Sequence, residues 1–261
     1  MIQLGSSDAW IDLLDPLIPD IVQLVAETWP TLKPPAADEL EDVMTKALCR
    51  ALRSSRAARA LPFQIHLQFV EIESAVEDDE GRIDIAFMPT VPREDIYFAL
   101  ECKRLNVRQR NGKIRPCHAE YVQYGMMRFI AGRYGAAVHA GGKLGYVLDG
   151  QVSQAIAGVA ANVQQHHVTL EMDAPGELSA SSLRPGDDNA RETRHRSSVR
   201  SHHFSIHHLF VACDPTTPLR QRRSTRQARS AQRRGSARRT KRVQGPNRMS
   251  AFGFVATALS R

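Results

Sequence analysis

Cysteine is scarce in this sequence. Its four cysteines, Cys49, Cys102, Cys117 and Cys213, stand far apart, and none of them forms a Cys-x-x-Cys pair. This spacing excludes a disulfide scaffold and a zinc ribbon, and it fits a reducing compartment.

Long apolar runs are also missing. No segment approaches the roughly 20 consecutive apolar residues that a membrane-spanning helix needs. The first ten residues have no basic start followed by an apolar stretch, so the sequence predicts no secretory signal. Together these absences predict a cytoplasmic protein with no membrane association.

Acidic residues are absent from the C-terminal segment. Pro215 to Arg261 holds 13 of the 35 Lys and Arg residues and none of the 28 acids, so residues 1–214 carry a net charge of −6. The stretch 220–242 is mostly Arg, Ser, Gln and Ala, which bury too little apolar surface to offset the entropy of ordering. We predict a disordered tail that attracts polyanions such as nucleic acid. A translated frameshift would give the same composition, and both origins stay open.

Apolar periodicity predicts a mixed succession of helices and strands. Residues 38–54 repeat apolar side chains, including Leu40 and Val43, at helical spacing. Asp38 is expected to cap this helix, with Glu41 completing a capping box. Three strands, at 63–74, 82–88 and 96–103, are expected to pair as an antiparallel meander. Further on we predict a helix at 118–134, a strand at 144–148, a helix at 152–165, a polar loop at 175–202 and a strand at 204–212.

These elements divide the chain into three parts. Residues 1–37 form an N-terminal helical extension, residues 38–214 form the main domain and residues 215–261 form the basic tail. The main domain has the order α-β-β-β-α-β-α and therefore belongs to the α/β class.

Three residues on neighbouring strands carry the chemistry. Side chains alternate across a strand, so Glu101 and Lys103 point to one face while Phe98, Leu100 and Cys102 point to the other. Pairing with the preceding strand brings Asp84 close to Glu101. Two converging carboxylates form a site for a hard divalent cation such as Mg²⁺.

The arrangement Asp84, sixteen intervening residues and Glu101-x-Lys103, inside this order of elements, resembles the PD-(D/E)XK nuclease superfamily. The resemblance covers about residues 38–150. It implies a restriction-endonuclease-like core, with a central mixed sheet of four to five strands flanked by helices. It also implies that Asp84 and Glu101 hold Mg²⁺, with Mn²⁺ as a substitute. Glu41 on the first helix is the expected additional metal ligand, with Glu39 as the fallback.

The resemblance also implies a function. We expect a Mg²⁺-dependent nuclease that hydrolyses phosphodiester bonds, most simply in DNA, with RNA and a homodimeric state left open. Asp84, Glu101, Lys103 and Glu41 form the expected catalytic set, in which Lys103 either stabilises developing charge or helps to deprotonate water. Arg104, Arg108, Lys113 and Gln123 are expected to contact nucleic acid. The alternative is a catalytically inactive protein that keeps this fold and binds nucleic acid or serves in an assembly.

Structural explanations compete with these roles. Glu41 could serve only the capping box, Glu101 and Lys103 could form an ion pair on an exposed strand, and Asp84 could close an acidic turn at 77–81. The histidine pairs 166–167, 202–203 and 207–208 have no recognised zinc spacing.

Overall fold

A computed structural model of the chain describes residues 7–71, 81–90 and 95–213. These residues belong to one compact unit. The tail expected at 215–261 lies outside the described residues, as do residues 77–80 of the expected acidic turn. The helices of the described segments are α1 (Ser7–Leu14), α2 (Ile18–Thr28), α3 (Glu41–Ser54), α4 (Arg56–Arg59), a π-helix (Glu120–Met126) that runs into α5 (Met127–Ile130), and α6 (Val152–Gln165). None of them is both long and apolar enough to cross a membrane.

The strands form one large sheet and one small ribbon. They are β1 (Phe63–Glu71), β2 (Gly81–Pro89), β3 (Phe98–Leu105), β4 (Val107–Arg108), β5 (Ile114–Arg115), β6 (Ala140–Val147), β7 (Ser179–Ala180), β8 (Ala190–His195) and β9 (Phe204–Ala212). The large sheet has the order β1-β2-β3-β6-β9-β8-β7, and β4 pairs only with β5. The expected meander is confirmed, because β1, β2 and β3 pair antiparallel. β3, β6 and β9 are parallel, which makes the sheet mixed and the fold α/β.

The sheet is wider than the sequence predicted. It has seven strands rather than four or five, because β7 and β8 come from the segment 175–202 that was expected to be a loop. β8 has the sequence Ala-Arg-Glu-Thr-Arg-His, and Ala190, Thr193 and His195 are among its buried residues. A strand that buries small and polar side chains lacks the apolar alternation on which the prediction depended.

Helix α3 begins later than its expected cap. Its first residue is Glu41, and the residue before it, Leu40, makes no side-chain capping hydrogen bond. The capping box of Asp38 and Glu41 is therefore wrong. Leu40 and Val43, expected on the apolar face, are exposed, whereas Met44, Leu48 and Leu52 are buried.

The N-terminal helices pack onto the sheet through an aromatic contact. The Trp29 ring, which follows α2, lies 4.9 Å from the Tyr146 ring of β6. Its indole Nε1 donates a hydrogen bond of 3.1 Å to the carbonyl oxygen of Ala212 in β9. Tyr146 in turn donates to the Cys102 sulfur of β3. The helical extension thus supports the rear face of the strand that carries Glu101 and Lys103.

Substitution of Trp29 tests whether the extension is integral to the fold. Trp29→Ala removes this buried ring and is expected to lower the free energy of unfolding by about 3–5 kcal/mol in urea denaturation. The exposed Leu13 of α1 provides the control, since Leu13→Ala should leave the stability nearly unchanged. Equal, small effects of both substitutions would show that the extension is not needed for the fold.

Candidate functional site

The charged end of β3 is enclosed rather than exposed. Glu101 is only 2% exposed, and its strand neighbours Leu100 and Cys102 are buried on the opposite face. The hypothesis of an ion pair between Glu101 and Lys103 on an exposed strand is therefore wrong, because each of the two has another partner.

Asp84 is tied to β3 where the pairing of the two strands ends. The last paired residues are Ile85 of β2 and Leu100 of β3, one position from Asp84 and Glu101. Just beyond them, Asp84 Oδ2 accepts a hydrogen bond of 2.8 Å from the backbone N–H of Cys102. Asp84 lies inside β2, so the alternative role as the end of an acidic turn is wrong. The Asp84 side chain accepts the hydrogen bond in place of a backbone carbonyl of β2. This contact fixes its carboxylate beside Glu101.

Glu41 comes to the same place from the first turn of α3. Its Oε1 accepts a hydrogen bond of 2.9 Å from Lys103 Nζ, and its Oε2 accepts one of 2.9 Å from the backbone N–H of Arg104. Both carboxylate oxygens of Glu41 thus bind β3. Glu39, the fallback ligand, contributes a backbone contact, in which its carbonyl oxygen accepts from the Arg104 guanidinium.

The carboxylates repel one another. Burial, followed by the charges of Glu101 and Glu41, raises the pKa of Asp84 to about 7, although the Cys102 N–H and Lys103 act in the opposite direction. Burial lowers the pKa of Lys103, but the neighbouring carboxylates outweigh it, Glu41 first, so that the net pKa is raised. Lys103 is therefore a firmly protonated donor here.

A second cation, Arg128 of α5, lies on the outer side of Glu101. Its Nη1 is 3.3 Å from Glu101 Oε1 and also donates to the Tyr134 hydroxyl. The Arg128 side chain is 41% exposed, whereas that of Glu101 is 3% exposed. Arg128 could not be predicted from the sequence, because a contact between a helix and a strand distant along the chain produces no local sequence pattern.

A third cation, Lys143 of β6, is fully buried beside Glu101, its register partner in the parallel pair. Its ammonium has no hydrogen-bond partner among the described residues. The Nζ atom lies 4.5 Å from the centre of the Tyr121 ring, and a Cβ at Gly125 would overlap it. Burial lowers the pKa of Lys143 to about 8 against the attraction of Glu101. The signal in the sequence for this position is the lysine itself, which stands alone in an apolar, glycine-rich strand.

Tyr121 is held beneath Lys143 by a buried chain of hydrogen bonds. His195 Nδ1 must donate to the carbonyl oxygen of Leu170, at 2.7 Å, so its Nε2 accepts from Thr193. Thr193 then accepts from His208 Nε2, and His208 Nδ1 accepts from the Tyr121 hydroxyl at 3.0 Å. Each proton has one allowed place, because burial lowers the pKa of His195 to about 4 and keeps both rings neutral.

The expected nucleic-acid contacts fall into two groups. Arg108 and Lys113 are exposed in or beside the β4–β5 ribbon that follows β3. Arg104 is held by Glu39, and the side chain of Gln123 lies 2.8 Å from His166 at the end of α6. Gln123 is thus engaged away from the carboxylates.

The oxygen donors expected to hold a metal are the carboxylates of Asp84, Glu101 and Glu41. Within the described segments no group of three His, Cys, Asp or Glu side chains has the geometry to hold a metal ion. Instead Glu41 pairs with Lys103 and Glu101 pairs with Arg128. Within the described segments the hydrogen-bond donor to Asp84 is the backbone N–H of Cys102. Carboxylate oxygens are ligands that suit Mg²⁺. In this structure Lys103 neutralises Glu41 and Arg128 neutralises Glu101.

Comparison with protein-family models, with curated proteins and with solved structures finds no match. Inferences about function therefore rest on the residues and their geometry.

Substitution of Lys143 tests the cost of its buried charge. The unfolded lysine keeps its proton up to about pH 10.5, whereas the folded one loses it near pH 8, so wild-type stability should rise with pH between these values. Lys143→Met has no such penalty. It is expected to be more stable than wild type by about 3 kcal/mol at pH 7, with the difference shrinking by at most about 1.4 kcal/mol per pH unit above pH 8.

Thermal and urea unfolding of both proteins across this pH range measure the difference. Lys33→Met, at an exposed position, is the control and should show no comparable pH-dependent difference. A gap between wild type and Lys143→Met that is constant with pH would contradict a depressed pKa.

Proposed function

We propose that the protein is a metal-dependent nuclease that hydrolyses phosphodiester bonds, with DNA as its substrate, through a Mg²⁺-activated water. One observation carries the proposal: Asp84, Glu101, Lys103 and Glu41, chosen from the sequence, converge on the end of β3 through the contacts described above. The mixed sheet and the position of α3 against β3 agree with a PD-(D/E)XK-like core, which we propose as the finer classification of the fold.

Repulsion of the Asp84 carboxylate by its acidic neighbours supports a role for a divalent cation. Asp84 is mostly buried and is destabilised in its ionised form by both Glu101 and Glu41. A cation held by Asp84 and Glu101, with Glu41 as a further ligand, would relieve this repulsion. When bound there, Mg²⁺ would neutralise phosphate charge and lower the pKa of a coordinated water.

The protein's own cationic side chains would then contact the substrate phosphate. Lys103, protonated and anchored to Glu41, is placed to donate hydrogen bonds to a phosphate oxygen as negative charge develops. Arg128 reaches Glu101 from the exposed side through long contacts of 3.3 and 3.5 Å. Because its side chain is 41% exposed, Arg128 could turn to a substrate phosphate once a divalent cation compensates Glu101 in its place.

A second candidate function is binding of nucleic acid without cleavage. The specific observation in its favour is the internal pairing of Glu41 with Lys103 and of Glu101 with Arg128, together with the lack of a three-ligand metal group in the described segments. A site that is neutralised by its own lysine and arginine has less need of a metal ion. The two functions differ in whether a divalent metal allows the protein to cleave nucleic acid at all.

Cleavage assays on plasmid and linear DNA with Mg²⁺, Mn²⁺ or EDTA test the proposal. Glu101→Gln and Lys103→Met keep the size of each side chain and remove the charge. Each is expected to lower the cleavage rate by about a hundredfold or more, while circular dichroism shows an intact fold.

Lys33→Met serves as the matched control at an exposed lysine and should cleave at the wild-type rate. Unchanged cleavage in both site variants would contradict the proposal. DNA binding by the wild type with no cleavage under any metal condition would favour the second candidate.

A further inference from the structure

The segment between β3 and the π-helix forms an ordered basic ribbon, residues 107–115. Val107 pairs with Arg115 and Arg108 with Ile114. The turn is closed by hydrogen bonds from Gly112 N to Gln109 O and from Gln109 N to Lys113 O. At its base, Asn106 Nδ2 donates a hydrogen bond of 3.0 Å to Asp149. The ribbon is thus fixed to the body of the protein, whereas residues 108–116 are exposed.

Three of the four cations on the ribbon have no neutralising acid in the described part of the chain. The cations of the ribbon are Arg108, Arg110, Lys113 and Arg115, and the ribbon contains no acid. Arg115 pairs with Glu120, but none of the described acids forms an ion pair with the other three. Holding like charges on a short paired scaffold costs stability, and an anionic partner would offset that cost.

The cations are displayed on both faces of the ribbon. Directly opposed residues of an antiparallel pair share a face, so Arg108 lies with Ile114 on one face and Arg115 lies with Val107 on the other. Continuing the alternation by one residue places Lys113 on the face of Arg115, and Arg110 lies in the turn. If the ribbon lay flat against a single phosphate strand, cations on one of its faces would be enough. Cations on both faces instead favour contact with two phosphate strands.

We propose that this ribbon enters the major groove of a DNA duplex and contacts phosphates on both walls. The inference deepens the proposed function and rests on it for the choice of nucleic acid. Two strands about 4.8 Å apart with side chains fit a groove about 12 Å wide and not one about 6 Å wide. The two faces of an inserted ribbon meet opposite phosphate strands, which matches the placement of Arg108 and Lys113.

The composition of the ribbon argues against single strands. Binding of single-stranded nucleic acid uses aromatic side chains on which bases stack, and 104–117 contains no Phe, Tyr, Trp or His. Duplex RNA is excluded for another reason, since its major groove is too deep and narrow for side chains to enter.

The ribbon is also placed to deliver its ligand to the site. It begins three residues after Arg104, at Val107. The backbone N–H of Arg104 binds Glu41, and its neighbour Lys103 binds the same carboxylate. A duplex held by the ribbon therefore has its phosphate backbone next to the carboxylates of the proposed nuclease site.

Fluorescence anisotropy in EDTA tests the inference without cleavage. The probes are a labelled DNA duplex of two helical turns, one of its single strands and an RNA duplex of the same sequence. The double variant Arg108→Gln with Lys113→Gln removes one cation from each face. Its affinity for the DNA duplex should fall about tenfold, and the slope of log affinity against log salt should decrease by about 0.9 for each lost contact.

Arg56→Gln with Arg59→Gln, two exposed arginines of α4, is the matched control and removes the same charge. The basic tail is common to all of these proteins, so differences among them report on the ribbon. Equal losses in the two double variants would overturn the inference, and so would wild-type binding of single-stranded DNA or duplex RNA as tight as that of duplex DNA. If the protein cleaves no nucleic acid but its affinity for duplex DNA depends on the ribbon, the inference about the ribbon is supported. Only the proposed nuclease activity is then contradicted.

Discussion

The burial of charge at the end of β3 is the constraint on which the site depends. Glu101 is enclosed, and Lys103 is largely enclosed, where the sheet meets α3 and the π-helix, and ionised groups in such a place need compensation. Compensation comes from three directions: Glu41 for Lys103, Arg128 for Glu101, and the Cys102 N–H for Asp84. Each of these contacts also fixes one element against β3. The compensation of these charges therefore also fixes the position of α3, the end of the β2–β3 pairing and the orientation of α5.

Lys143 is the exception to this compensation. Its ammonium is enclosed by the Tyr121 ring and the Cα of Gly125, yet no acceptor in the described part of the chain forms a hydrogen bond with it. The hydrogen-bond chain through His208, Thr193 and His195 holds Tyr121 in place with a single arrangement of protons. Such a chain leaves His208 without a free nitrogen, which explains why the histidine pair at 207–208 offers no metal site through that ring.

The sequence predicted the parts of the site that depend on local periodicity. Alternation along β3 placed Glu101 and Lys103 on one face, and the antiparallel meander placed Asp84 beside them, because both follow from a period of two and a short connection. The contacts of Arg128 and Lys143 with Glu101 do not follow from local periodicity. Lys143 meets Glu101 only because β6 runs parallel beside β3 after a helical crossover, and no local pattern records that neighbour. The capping box failed for a similar reason: the carboxylate of Glu41 binds Lys103 and Arg104, so a tertiary contact replaced a local one. The strand β8 escaped prediction because it buries threonine and histidine in place of large apolar residues.

The central claim is that these carboxylates serve a divalent cation, and calorimetric titration of the full chain with Mn²⁺ tests it most directly. The account predicts saturable binding that Asp84→Asn abolishes and that Lys33→Met leaves unchanged. A wild-type chain that takes up no Mn²⁺, or an Asp84→Asn variant that binds it as well as the wild type does, would contradict the account.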